Sequence, residues 1–116
     1  MQRPLEVTFR DVERTDDILN LIENEAEKLE KIHTNLIGGQ LVMEKPHKHP
    51  NSGSPYRVRL EIDAPGNPKI IVTHKPREGN IHEDLPMVIR NVFSTARRSI
   101  QKLLEKQRGE TKAHPQ

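Results

Sequence analysis

The sequence predicts an α+β domain with the element order β-α-β-β-β-α, a four-stranded mixed sheet with two helices packed on one face. Three observations predict it. Apolar and polar residues alternate in several short runs, the period of a strand with one buried face. In two longer stretches the apolar residues recur three and four positions apart, the period of an amphipathic helix. The 116 residues fit a single domain, and only 32% of them are hydrophobic. Adding glycine raises the apolar share to about 37%, below the usual ~45–50%, so one small core must serve both helices on the same sheet face.

The elements follow in order. Leu5, Val7 and Phe9 alternate with Glu6, Thr8 and Arg10 and form the first strand. Thr15 with Asp16 and Asp17 supplies an N-cap and two acids at the positive end of a helix dipole. Ile18, Leu21, Ile22, Leu29 and Ile32 then mark the buried stripe of the first helix. Glu25 interrupts that stripe, since at ~100° per residue it falls among the apolar positions. It must therefore snorkel to solvent, pair with a cation, or serve a function.

Leu36 to Glu44 alternates again and forms the second strand, with Ile37, Gly39, Leu41 and Met43 on one face. The Gly38-Gly39 pair inside it leads into no helix, so it is a bulge or a place of close packing rather than a phosphate loop. Residues 46–55 hold three prolines, Gly53 and two histidines and form a loop. Tyr56, Val58, Leu60 and Ile62 alternate with Arg57, Arg59, Glu61 and Asp63 in the third strand, whose charged face is left open. A tight connection, Ala64-Pro65-Gly66-Asn67-Pro68, joins it to a fourth strand from Lys69 to Lys75. Asp84 caps the second helix, and Pro86 is tolerated in its first turn. Leu85, Val88, Ile89, Val92, Ala96, Ile100 and Leu103 form the buried stripe, with Gly109 as the stop. The domain thus spans residues 1–108, and residues 109–116 form a flexible polar tail. A right-handed crossover makes the first two strands parallel, and hairpins make the remaining pairs antiparallel.

Charge is segregated along the chain, although the net value is only +2. Residues 1–34 carry five basic and nine acidic side chains, residues 35–84 seven and six, and residues 85–116 seven and two. The last third therefore concentrates the attraction for polyanions. Arg98, Lys102 and Lys106 form an i, i+4, i+8 ridge on one side of the apolar stripe, and Arg90, Arg97 and Arg108 cluster on the other. Two cationic edges on one helix reach separate phosphates, and guanidinium forks suit phosphate oxygens. Phe9, Tyr56 and Phe93 are the only aromatic residues, with the two phenylalanines expected at or near the core. Structured RNA, recognised through backbone and shape, fits this surface better than stacked single strands.

Other chemistry has little support. With no cysteine there is no disulfide, thiolate site or Cys nucleophile. None of the six histidines stands in a recognisable nucleophile setting, so no enzymatic activity and no cofactor are expected. His47 and His49, with His74 as a third ligand, could approach a metal, but a proline-rich loop opposes fixed ligand geometry, and no metal site is expected. No apolar run approaches a membrane span, and the first residues lack a signal segment, so a cytoplasmic protein without membrane contact is expected.

These residues resemble the ribosome hibernation-promoting factor family, also called ribosome-associated inhibitor A or the sigma-factor modulation family, in its short form. The resemblance rests on the element order, Lys28-Leu29 in the first helix, the hairpin of the third and fourth strands, and His82-Glu83-Asp84-Leu85 leading into Ala96-Arg97-Arg98-Ser99-Ile100-Gln101-Lys102. It covers residues 5–108 or so. It implies a stationary-phase or stress factor that binds the small ribosomal subunit and its ribosomal RNA, blocks the channel for messenger and transfer RNA, and inhibits translation. Lys28, Arg98 and Lys102 match the family's RNA-facing positions, and geometry adds Arg90, Arg97 and Lys106. Glu23, Glu25 and Glu27 stand where relatives are more basic. The resemblance is to the short form, so the C-terminal dimerisation domain of long-form relatives is not expected here. The competing possibilities are a protein-interaction adaptor that uses the acidic first helix or the open sheet face, and a metal-dependent hydrolase. Salt sensitivity and chelation separate these from RNA binding.

Overall fold

A computed structural model describes residues 1–46, 54–77 and 82–112, with side chains described as far as residue 108. The elements are β1 (Glu6–Arg10), α1 (Asp16–Ile32), β2 (Gly38–Glu44), β3 (Arg57–Asp63), β4 (Ile70–His74) and α2 (Leu85–Lys112). The sheet has the order β1-β2-β3-β4. β1 and β2 are parallel, and the β2/β3 and β3/β4 pairs are antiparallel. This is the four-stranded mixed sheet with two helices that the sequence predicts.

Local chemistry starts and turns each element. The Thr15 hydroxyl accepts a hydrogen bond from the Ile18 N–H at 3.2 Å, and an Asp84 carboxylate oxygen accepts one from the Met87 N–H at 2.9 Å. These caps satisfy backbone donors that the first helical turns leave without partners. Between β3 and β4, the Asn67 N–H donates to the Ala64 carbonyl at 3.3 Å, and Gly66 at the third turn position has φ +73°. With Pro65 before it, this is the geometry of a type II turn. Gly39 is a place of close packing, since a Cβ there would lie 2.5 Å from the Glu61 carbonyl oxygen.

The core lies between the sheet and the helices. Leu41, Met43, Val58, Leu60 and Ile62 are fully buried on one sheet face, and Val88, Ile89, Phe93, Ala96 and Ile100 of α2 are fully buried above it. α2 packs on β3, β4 and α1, and Leu29 of α1 completes the centre. Each strand turns its other face away from the helices, and there Arg57, Arg59, Glu61 and Asp63 line up.

Three sequence expectations need correction. β2 begins at Gly38 and not at Leu36; ahead of it the Leu36 and Ile37 carbonyls accept from the N–H groups of Gln2 and Arg3, each at 2.9 Å. At the end of the apolar stripe, Leu104 packs against the core in place of Leu103. α2 also passes through Gly109, where the sequence sets a stop, and continues to Lys112. Between Ile100 and Arg108 the helix carries no fully buried side chain, so its end is not pinned into the core. A glycine near a helix end lowers local stability by only ~1 kcal/mol relative to alanine. Residues 113–116 of the expected tail lie outside the described residues.

Candidate nucleic-acid interface

α2 lies on the sheet with its opposite side toward solvent, and this side carries the basic ridge. Arg98, Lys102 and Lys106 are all exposed, as are Arg90 and Arg108. The Arg98 guanidinium is steadied by its own helix, with Nη1 donating to the Ser94 hydroxyl at 3.0 Å and Nη2 to the Thr95 hydroxyl at 3.2 Å. Arg98 has no acidic partner among the described residues, and neither Arg90, Lys102 nor Lys106 has an ion pair there. A cation held in place without a counter-charge is suited to a phosphate oxygen.

Glu25 organises the seam between the helices. It is 3% exposed, and its two oxygens accept from Arg97 Nη1 at 2.8 Å and Lys28 Nζ at 2.7 Å. Of the three outcomes that its place in the apolar stripe allowed, pairing with cations is the one realised. Burial is the largest influence on its carboxyl and opposes ionisation. The hydrogen bonds and charges of Lys28 and Arg97 together outweigh it and hold the pKa below the usual carboxylate value. The cluster keeps one net positive charge, and Lys28 remains half exposed. Two of the six sequence-predicted residues, Lys28 and Arg97, are thus brought together by an acid buried between them.

Glu23 and Glu27 turn the other way. With Glu30 they line a groove between α1 and β1, on the flank of α1 away from α2. Glu23 and Glu27 therefore lie away from the seam where Glu25 meets Arg97, and Lys31 is exposed one turn beyond Lys28. Its i, i+3 spacing from Lys28 and i, i+4 spacing from Glu27 set it between the two on the outer side of α1.

The histidines gather no comparable site. His74 is buried, and its Nε2 shares a hydrogen bond with the Ser54 hydroxyl at 3.1 Å. Glu83 Oε1 lies 3.7 Å from the same nitrogen and has no hydrogen-bond partner among the described residues. In a catalytic relay the acid would bond to Nδ1 and the hydroxyl would be accessible. Here acid and hydroxyl face one nitrogen, and Ser54 is fully buried. Burial is the main cause that lowers the His74 pKa, aided by Arg77 and opposed by Glu83, so the ring is neutral near pH 7. No three His, Cys, Asp or Glu side chains converge on a metal-sized site among the described residues, and His47 and His49 lie outside them. Nor, among those residues, is any helix long and apolar enough to cross a membrane.

The family described as sigma 54 modulation protein / S30EA ribosomal protein matches residues 5–108. The fold is shared with the N-terminal domain of Protein Y from Thermus thermophilus, at a TM-score of 0.64 and 18% identity, covering 84% of this chain and 94% of that one. It is shared as well with a ribosomal subunit interface protein from Coxiella burnetii, at a TM-score of 0.67 and 10% identity, covering 89% and 99%. No curated protein matches the sequence.

Proposed function

From its membership of the sigma 54 modulation protein / S30EA ribosomal protein family, a family of ribosome-associated modulation factors, we propose that the chain is a translation inhibitor of resting or stressed cells. It binds the ribosomal RNA of the small subunit through the outer side of α2, with Lys28 of α1 beside it, and occupies the channel for messenger and transfer RNA. Arg90, Arg98, Lys102 and Lys106 meet phosphates directly, and Arg97 and Lys28 do so with the charge that Glu25 leaves them. The protein acts in the cytoplasm by occupancy, without catalysis or a cofactor.

The observation that carries this proposal is the row of exposed cations on α2 that have no acidic partner among the described residues, on a helix whose opposite side is anchored in the core. Sedimentation with purified small subunits over a salt series tests it. Four phosphate contacts give a slope of log K against log salt of about −3. A slope near zero would mean that the helix is merely solvated and would sink the RNA proposal.

A further inference from the structure

β1 is the outermost strand of the sheet, and its far edge has no strand beside it among the described residues. The Lys45 N–H donates to the Arg10 carbonyl at 3.2 Å, so the backbone of Arg10 faces β2. By alternation the backbones of Thr8 and Glu6 do so too, and Val7 and Phe9 turn their N–H and C=O groups to the open edge. Along this edge runs the groove between β1 and α1, about 450 Å³ in volume. Val7, Leu19 and Ala26 supply apolar lining, Glu23, Glu27 and Glu30 form an acidic rim, and Arg14 adds one basic side chain.

Acids outnumber cations in this lining, three against Arg14 and the N-terminal ammonium. Glu30 accepts from the N-terminal ammonium at 2.8 Å, whereas Glu23 and Glu27 are exposed and have no ion-pair partner among the described residues. They stand four residues apart on one helix, where like charges repel and disfavour the helix. An added cation relieves that repulsion, and a nucleic acid would increase it.

We propose that this edge and groove dock an extended, lysine- or arginine-rich segment of a protein partner as a fifth strand beside β1. The dimensions agree. Glu23 and Glu27 are separated by ~6 Å along the helix axis. Alternate side chains on one face of a strand are spaced ~6.6 Å apart, so successive cations on the helix side of the added strand meet the two carboxylates in turn. Main-chain bonds to Val7 and Phe9 supply the pairing, and the acidic rim supplies selectivity for a basic sequence. The groove lies on the flank of α1 opposite the cations of α2, so both surfaces can be occupied together.

A blocked heptapeptide in which lysine alternates with threonine serves as the probe, titrated into the full chain and followed by NMR without ribosomes. Failure here therefore leaves the RNA proposal standing. Binding should slow hydrogen exchange at the Val7 and Phe9 amides and should weaken at least tenfold in the double variant Glu23→Gln/Glu27→Gln. Both substitutions are on the surface, and an unchanged melting temperature shows that the fold is kept. The glutamate–threonine peptide should not bind. The proposal is overturned by absence of binding at millimolar lysine peptide, by binding that leaves the two amides exchanging as before, or by equal affinity in the double variant.

Discussion

The outer side of the helices and the open face of the sheet both carry arginines, and they differ in what stands beside them. On the sheet face two neighbouring arginines pair with acids, Arg59 2.7 Å from Glu61 and Arg57 3.7 Å from Glu44, whereas Arg10 on the same face has no ion pair among the described residues. On α2 the exposed cations Arg90, Arg98, Lys102 and Lys106 have no such partner among the described residues, the exposed Glu105 beside them forms no ion pair with any of them, and Glu25 is buried beneath Arg97 and Lys28. Counting charges along the chain does not separate the two faces. Their arrangement does, because a field that attracts a polyanion survives only where cations outnumber the anions within a Debye length.

The largest expected effect removes what both faces stand on. Leu60 is fully buried in β3, an interior strand paired on both sides and packed under α2. Leu60→Ala should lower stability by ~2–5 kcal/mol in chemical denaturation. A loss below ~0.5 kcal/mol would show that β3 is not the common support.

Glu25→Gln should cost ~1–3 kcal/mol, since it removes a buried charged acceptor from two donors. At temperatures where the variant remains folded, its affinity for small subunits should rise a few-fold, because Lys28 and Arg97 lose their counter-charge. Filter binding that finds no rise would take those two residues out of the interface.

Acid should affect the buried polar groups in sequence. His74 has a folded pKa below its ordinary 6.5, so the unfolded chain takes up its proton first and stability declines as pH falls below that value. Glu25 has a folded pKa below 4.5, so its contribution is present above that pH and is lost as pH falls through the folded value. Thermal melts from pH 7.5 to 3 should show both declines. His74→Gln should remove the first, and a wild-type melting temperature flat between pH 7 and 5 would contradict the burial of a neutral His74.

The smallest effect belongs to the sheet face. Arg57→Ala with Arg59→Ala should change stability by no more than ~0.5 kcal/mol, as exposed ion pairs contribute little. Binding to small subunits should also stay within twofold of wild type.

Much of this was legible in the sequence. Alternation located all four strands, Thr15 and Asp84 marked both helix starts, and Glu25 declared itself by breaking an apolar stripe. Its partner was not legible, because Arg97 is 72 positions away and only the packing angle of the helices brings the two together. Ser54, His74 and Glu83 were hidden for the same reason, since they meet where β4 nears the start of α2. The end of α2 was misplaced because Gly109 is a stop signal only where tertiary contacts require the chain to turn. The basic ridge followed from spacing alone. That Glu23 and Glu27 lie on the far flank of the first helix required the structure.

The most direct test exchanges charge on the two faces. Arg98→Glu with Lys102→Glu, and separately Arg57→Glu with Arg59→Glu, are compared with wild type for binding to small ribosomal subunits across a salt series. The helix pair should lose at least tenfold in affinity at ~0.1 M salt, and the magnitude of its salt slope should fall by about 1.5, as expected when two phosphate contacts are removed. The sheet pair should bind within threefold of wild type. If the helix variant binds like wild type while remaining folded, or if the sheet variant loses as much, α2 is not the surface that holds the RNA.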